Sequence, residues 1–169
     1  KDVEEAFRWF ERAAEKGSVS ALYNLGLCYE MGSGVRKDLR RAAEYYRRGA
    51  ELDYPPAMVS LGLCYENGRG VEADPARALE LYCRAGERGE PAGACNAGYC
   101  YLTGIGTDVD PSKAIPWLEK SAERDYPRAL DLLGDCCWNG DGVAQSDQQA
   151  AAYYRRGADQ NYAPSLASL

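Results

Sequence analysis

The chain has 169 residues, of which 46% are hydrophobic, so it is long enough and apolar enough to build a folded core. Its net charge of −6 disfavours nucleic acid or an anionic membrane as the main partner, because both attract clustered positive charge. Histidine is absent, which removes imidazole-based catalytic triads and histidine zinc sites. No signal peptide and no membrane-spanning segment is predicted.

A repeat of 36 residues runs through the chain without a gap. The pair Leu25-Gly26 returns at this spacing, and so does the G-x-G pair Gly32/Gly34. Such self-similarity is typical of stacked helical repeats. We predict a single domain with a partial repeat at 1–17, full repeats at about 18–53, 54–89, 90–125 and 126–161, and a partial repeat at 162–169.

Each period is predicted to hold two helices, named helix A and helix B in chain order. In helix A, apolar or small residues such as Leu22, Leu25 and Gly26 follow the three- and four-residue steps of one helix face. The later A helices begin at proline, whose missing N–H costs nothing in a first turn. Each A helix should end at a glycine that adopts the left-handed conformation, namely Gly32, Gly68, Gly104 and Gly140.

Helix B is predicted to start at a side chain that caps its first turn. Asp2 and Asp38 have this role in the first two B helices, and Ser146 replaces the aspartate in the fourth full repeat. We expect Gly26 to face Ala42 and Ala50, so that helices A and B approach closely. One such pair cannot bury its apolar side alone, so the repeats must stack on one another.

Four of the seven cysteines occupy one repeat position and are predicted to be small buried residues on helix A: Cys28, Cys64, Cys100 and Cys136. Only Cys83 and Cys95, on either side of a turn, have the geometry for a disulfide, and whether they are bridged stays open. An odd count without regular pairing favours a reducing, cytoplasmic compartment. A periplasmic or secreted location stays open if a signal was removed.

The segment A-L-Y-N-L-G-L-C-Y-E-M-G-S-G-V-R-K-D, followed by Ala42-Ala43-x-Tyr45-Tyr46, resembles the Sel1-like repeat, a relative of the tetratricopeptide repeat. The resemblance extends over essentially the whole chain. It implies an all-α fold, a right-handed superhelical α/α solenoid of helix-turn-helix repeats. It also implies a non-enzymatic adaptor that binds protein and needs no cofactor.

In the similar tetratricopeptide solenoids, helix A lines a concave groove. Carrying that register over predicts partner-binding positions at Tyr23, Leu27, Glu30, Val59, Leu63, Glu66, Tyr99, Leu102, Asp131, Asp135 and Trp138, with Cys95 at the position of Tyr23. The first three repeats offer apolar residues with acidic edges, and the fourth combines two carboxylates with a tryptophan. We therefore expect a partner segment that is apolar at one end and basic at the other. The alternative is that Leu27, Leu63 and Tyr99 are core residues.

Two other functions stay open from the sequence. Cysteine-rich relatives have been linked with penicillin binding, which makes a β-lactam-interacting enzyme an alternative, although no serine or cysteine here has a recognisable activating partner. The chain could instead be a structural spacer in a larger protein. We predict no metal site, no nucleic acid partner and no membrane insertion.

The terminal helices carry apolar residues that have no partner within the repeat pattern. They predict either further repeats in the full protein or end-to-end contacts between copies, because a stack of repeats needs polar caps to stay soluble. These residues are Trp9, Phe10, Leu166 and Leu169.

Overall fold

The computed structural model describes residues 2–160 and 162–167, without the side chains of 166 and 167, and this part of the chain contains no β-strand. Its helices are α1 (Asp2–Glu15), α2 (Val19–Met31), α3 (Leu39–Glu51), α4 (Pro55–Asn67), α5 (Pro75–Glu87), α6 (Pro91–Thr103), α7 (Pro111–Ala122), α8 (Pro127–Asn139), α9 (Asp147–Ala158) and α10 (Ala163–Ala167). Even-numbered helices are A helices and odd-numbered ones are B helices, so the predicted alternation is confirmed. None of these described helices is long and apolar enough to cross a membrane.

The A helices end at the predicted glycines. These glycines have positive φ angles of 76°, 65°, 78° and 80°, a conformation that side chains with a β-carbon rarely adopt. The N–H of Gly32 donates to the carbonyl oxygen of Cys28 at 2.8 Å, and the same bond recurs in the later repeats. Glycine therefore ends each A helix, as predicted, and its N–H donates a hydrogen bond to one of the last carbonyl oxygens of the helix.

Side-chain caps begin the B helices, with one correction. Asp38 accepts hydrogen bonds from two backbone N–H groups in the first turn of α3, at 3.0 and 3.1 Å. Ser146 caps α9 by accepting from the N–H of Gln149 at 3.3 Å. The prediction for Asp2 is wrong, because α1 already includes this residue in its first turn.

The chain divides into two compact units, the first ending at Leu81 and the second starting at Tyr82, inside α5. In the first unit, α1 packs on α2, α2 on α3 and α3 on α4. In the second unit, α6 packs on α7, α7 on α8 and α8 on α9, and α10 contacts both α8 and α9. Within each unit, neighbouring helices therefore bury their apolar sides against one another, which is how short helix pairs gain stability.

Helices A and B approach closely at glycine, where the nearest facing side chain is larger than the expected alanine. A β-carbon built on Gly26 would lie 2.6 Å from Cδ1 of the buried Tyr46 ring. A β-carbon on Gly134 would lie 2.6 Å from Cδ1 of Tyr154, which has the same repeat position as Tyr46. At Gly26 and Gly134 the nearest neighbour is therefore an aromatic ring of helix B, whereas at Gly98 it is Leu118, followed by the backbone of Ala114, the repeat equivalent of the expected Ala42.

The cysteines at the shared repeat position are buried, as predicted. Cys136, for example, lies in a core cluster with Leu130 and Leu133. Cys83 is half-buried and Cys95 is buried, and both are free thiols. The core of each repeat is thus built from small and medium-sized residues around one buried side chain of helix B, which is Tyr46, Tyr82, Leu118 or Tyr154.

Candidate functional site

The predicted binding residues lie on the A helices of both units, and each unit is described by itself. The first-unit face is formed by α2 and α4 and comprises Tyr23, Leu27, Glu30, Val59, Leu63 and Glu66. The second-unit face is formed by α6 and α8 and comprises Tyr99, Leu102, Asp131, Asp135 and Trp138.

The apolar residues of the first-unit face are partly exposed. Leu63 has 38% of its surface exposed, whereas Tyr23, Leu27 and Val59 are half-buried. The ring of Tyr23 also packs against the rings of Tyr46 and Tyr54, at centroid distances of 5.9 and 5.8 Å. These side chains therefore pack within the unit with part of their surface and expose the remainder to solvent.

Glu30 on the first-unit face is already engaged. Its carboxylate accepts a hydrogen bond from the hydroxyl of Tyr46 at 2.5 Å and forms an ion pair with Arg69 at 2.5 Å. Burial, and secondly this hydrogen bond, raise the pKa of Tyr46 far above its ordinary value, so the hydroxyl stays a donor. The first-unit face therefore presents less free negative charge than its sequence suggests, with Glu66 half-buried on α4.

The sequence did not predict a role for Arg69. It lies in the turn after α4 and is separated from Glu30 by 39 residues along the chain. It occupies the variable position of the G-x-G turn, where the other repeats have Ser33, Ile105 and Asp141. That difference was a usable signal, because only one turn in four carries a cation beside the end of an A helix.

Tyr99 and Leu102 on the second-unit face are both half-buried. The guanidinium of Arg128 lies 4.6 Å from the centroid of the Tyr99 ring and donates a hydrogen bond to Asn96 at 2.8 Å. Leu102 packs against the core cluster of this unit. The α6 part of the second-unit face is therefore partly covered by the chain's own side chains.

Asp131 and Asp135 accept hydrogen bonds from neutral hydroxyl groups. Ser165 donates to Asp131 at 3.0 Å, and Tyr154 donates to Asp135 at 2.7 Å. Within residues 2–160 and 162–167, neither carboxylate forms an ion pair. Burial raises the pKa of Asp131, the charge of Asp135 raises it further, and the bond from Ser165 opposes both. Among the described residues, the fourth repeat therefore carries two carboxylates that form no ion pair.

Trp138 follows these carboxylates along the same side of α8, because residues three and four positions apart are neighbours on a helix surface. Its side chain is 54% exposed, and its backbone carbonyl accepts a hydrogen bond from Gln145 at 2.8 Å. The α8 part of the second-unit face thus combines an accessible aromatic surface with two carboxylates.

The structure contradicts one predicted position. Cys95 is buried in the core with Leu118 and Leu130, so the expectation that it faces a partner is wrong. At the same repeat position, the longer side chain of Tyr23 extends along its neighbours and keeps part of its surface exposed. A short side chain at this position stays between the packed helices, whereas a long one reaches the surface.

Burial makes the thiols poor nucleophiles. It raises the pKa of Cys95 to about 12 and that of Cys136 to about 11, so both remain protonated at neutral pH. Among the residues that the structure describes, no three Cys, Asp or Glu side chains are grouped to hold a metal ion. Neither of these two thiols is therefore an activated nucleophile.

Of the terminal apolar residues predicted to make contacts, the structure describes the side chains of Trp9 and Phe10 on α1. Trp9 is 59% exposed with the guanidinium of Arg12 over its ring at 5.2 Å, and Phe10 is half-buried. The side chain of Leu166 and the whole of Leu169 lie outside the described residues.

Comparison with known proteins identifies the family. The Sel1 repeat family model matches residues 1–18, 19–54, 55–90, 91–126 and 127–162. The chain belongs to the Sel1 repeat family. Sel1 repeats generally mediate protein–protein interactions, and proteins with this fold are typically scaffolds rather than enzymes. The predicted family and the all-α helical-repeat fold class are thereby confirmed.

Two Sel1 repeat structures resemble this chain in sequence as well as in fold. A protective antigen of uropathogenic Escherichia coli with an SLR fold is 35% identical, has a TM-score of 0.87 and aligns over 91% of this chain and 33% of its own. A Sel1 repeat protein from Oxalobacter formigenes is 32% identical, with a TM-score of 0.86, over 92% of this chain and 64% of its own. The chain thus spans less than two thirds of the length of either relative.

A more distant structure shares the Sel1 fold alone. Cysteine-rich protein B of Helicobacter pylori is 23% identical, with a TM-score of 0.62, and aligns over 78% of this chain and 95% of its own. Among curated proteins, the chain has no match.

Proposed function

We propose that this Sel1 repeat chain is a non-enzymatic scaffold whose A-helix faces bind protein segments. The second-unit face binds a segment that carries basic residues beside an apolar one. The observation that carries this proposal is the pair of carboxylates on α8, Asp131 and Asp135, which lacks a cationic partner among the described residues and adjoins the exposed Trp138.

Charge and geometry both favour a basic ligand on α8. Like charges four residues apart on a helix repel each other, so a bound cation would relieve a cost that the free protein bears. A guanidinium fits a carboxylate with two parallel hydrogen bonds and also stacks on an indole ring. Arginine is therefore the side chain that best fits Asp135 and Trp138 together.

The first-unit face supports apolar contacts instead. Its Glu30 is neutralised by Arg69, whereas Leu63 and Met31, the residue that follows Glu30, present apolar surface to solvent; Met31 is 69% exposed. Exposed apolar patches on folded proteins usually mark contact surfaces. We therefore propose that this face binds an apolar segment and contributes little charge recognition.

A calorimetric titration tests the charged part of the proposal. The probe is a short synthetic peptide that alternates Arg and Leu, compared with a matched peptide in which Gln replaces Arg. We expect the double variant D131N/D135N and the variant W138A each to weaken binding about tenfold or more, equivalent to about 1.4 kcal/mol. Asparagine at 131 keeps an acceptor for Ser165, so the fold should persist.

The control is D108N, which removes an exposed acid from a turn outside the second-unit face. It should bind the Arg peptide as the wild type does. Equal affinity of wild type and D131N/D135N for this peptide would refute the proposed site and favour a spacer. Hydrolysis of a chromogenic β-lactam by the wild type would contradict the non-enzymatic function.

A further inference from the structure

A cleft on the turn side of the first full repeat is lined by none of the residues of either A-helix face. It has two adjoining parts of about 420 and 280 Å³, which share Tyr29 and Arg41. We call it the basic cleft, and its lining residues are Tyr29, Val35, Arg36, Lys37, Asp38, Arg41, Glu44, Tyr45 and Arg48.

Positive charge dominates the basic cleft. Arg36 and Lys37 are exposed and form no ion pair within the described part of the chain. Arg41 is held in place, since it donates to the hydroxyl of Tyr29 at 3.0 Å and lies 3.8 Å from a carboxylate oxygen of Asp38. Asp38 also caps α3, so its carboxylate is occupied by Arg41 and by the backbone of this helix. It does not neutralise the other cations of the cleft.

Stacked rings form the apolar part of the cleft. The rings of Tyr29 and Tyr45 lie 5.5 Å apart and are tilted by 13°, and Phe7 meets Tyr29 edge-on at 5.6 Å. The guanidinium of Arg48 lies over the Tyr45 ring at 5.4 Å. A surface held by ring packing loses little freedom on binding, which favours affinity.

Two acids temper this charge. Glu44 lines the cleft, and Glu11 on α1 lies close enough to Tyr45 to contribute to raising its pKa, of which burial is the main cause. The cleft is lined by four cations, of which Arg41 pairs with Asp38; the four are Arg36, Lys37, Arg41 and Arg48. The balance stays positive in a chain whose net charge is −6.

The second full repeat provides an internal comparison. Its turn forms a cleft of about 560 Å³ around Tyr65, Val71, Asp74 and Arg77, which are the repeat equivalents of Tyr29, Val35, Asp38 and Arg41. The equivalents of Arg36 and Lys37, however, are Glu72 and Ala73. The same turn therefore forms without the two free cations, so the fold does not require them.

We propose that the basic cleft binds an acidic segment of a partner protein. Carboxylates of the segment pair with Arg36, Lys37 and Arg48, and an aliphatic side chain packs on Tyr45. Guanidinium groups bind carboxylates with two directed hydrogen bonds, which suits a short acidic stretch. A long polyanion such as nucleic acid is disfavoured, because the rest of the chain is acidic and would repel it.

The internal comparison supplies the experiment. Variant R36E/K37A places the residues of the second repeat into the first, and the reciprocal variant E72R/A73K places the basic pair into the second. The probe is a fluorescent peptide of Glu and Leu, compared with a matched Gln and Leu peptide and read by anisotropy at two salt concentrations. Circular dichroism confirms that each variant is folded.

We expect R36E/K37A to weaken binding of the Glu peptide at least tenfold and E72R/A73K to raise the stoichiometry from one peptide to two. Binding to wild type should weaken with salt, because exposed charges are screened. The variant D131N/D135N should bind the Glu peptide as the wild type does, which separates this proposal from the scaffold function above.

Three outcomes would overturn the proposal. The first is unchanged affinity of R36E/K37A for the Glu peptide. The second is tighter binding of single-stranded DNA than of the peptide through the same two residues, which would make the cleft a nucleic acid site. The third is self-association of the wild type that R36E/K37A abolishes, without peptide binding, which would assign the cleft to a second copy of the chain.

Discussion

The two units treat their A-helix carboxylates differently. In the first unit, Glu30 accepts a hydrogen bond from the hydroxyl of Tyr46, and its charge is neutralised by Arg69. In the second unit, Asp135 accepts a hydrogen bond from the hydroxyl of Tyr154, which has the same repeat position as Tyr46. Within the described residues, Asp135 forms no ion pair.

The difference separates what the fold needs from what it leaves over. A buried tyrosine hydroxyl requires an acceptor, because an unsatisfied polar group inside a protein is costly. Both units supply a carboxylate for this purpose. Among the described residues, only the carboxylate of the first unit also pairs with a cation, so Asp135 in the second unit stays without an ion-pair partner. The same structural solution therefore leaves two surfaces of different chemistry.

The largest expected effect comes from removing the two tyrosine hydroxyls. Tyr46 is fully buried, so Y46F should lower the free energy of unfolding by about 1.5–3 kcal/mol, the range for hydrogen bonds to charged groups. Y154F should cost less, about 1 kcal/mol or below, because Asp135 is exposed and water can replace the lost donor. Urea unfolding of both variants measures the difference. An equal loss of unfolding free energy in Y46F and Y154F would contradict the difference between the two units.

A smaller effect is expected at the glycines that face these rings. G26A and G134A would each place a methyl group against a held tyrosine ring, which should cost about 1–3 kcal/mol by overpacking. Alanine gains about 1 kcal/mol over glycine in a helix interior, so the net loss should be about 2 kcal/mol or less.

Thermal unfolding reports this net value for each glycine variant. A raised melting temperature in both variants would show that helix propensity outweighs the ring contact, contrary to the close packing of the two rings on these glycines. A loss in G26A without one in G134A would show that the Tyr154 ring can move, although its hydroxyl is bonded to Asp135.

The smallest effect concerns the unpaired charge of Asp131. Its pKa is raised in the folded state, so its contribution to stability is present at low pH and is lost as the pH rises through the raised pKa. D131N should therefore be more stable than the wild type at pH 7. The difference in stability between D131N and the wild type should become smaller below about pH 4, where aspartate is also protonated in the unfolded chain.

The matched control for D131N is S165A. Alanine occurs at this repeat position in Ala57 and Ala129, so the packing tolerates it. Removing the hydroxyl donor leaves Asp131 unsatisfied and should lower stability at pH 7, opposite in sign to D131N. Melting curves across the acid range measure both, and a D131N that is less stable than wild type at pH 7 would contradict the unpaired-charge interpretation.

Much of the fold followed from local chemistry that the sequence displays. Gly32 and its equivalents were predicted to end the A helices, and Ser146 was predicted to replace aspartate as a cap, since both effects depend on one residue and its own turn. Cys136 and its equivalents were predicted to be buried, because their spacing follows the apolar side of a helix. These predictions are confirmed.

The candidate sites could be predicted only in part. The register of the A helices gave the positions, but it gave neither the burial of Cys95 nor the ion pair between Glu30 and Arg69. Both depend on side-chain length and on residues from another repeat. The cations Arg36 and Lys37 are visible in the sequence as a departure from their equivalents, but not the cleft that they line.

The sequence by itself determined the repeat length, the alternation of helices and the family, because each depends on short-range spacing that recurs every 36 residues. Tertiary structure alone decided which charges are neutralised and which stay available. That decision depends on contacts between side chains far apart in sequence, such as Glu30 with Arg69 across 39 residues, whose distance no local pattern fixes.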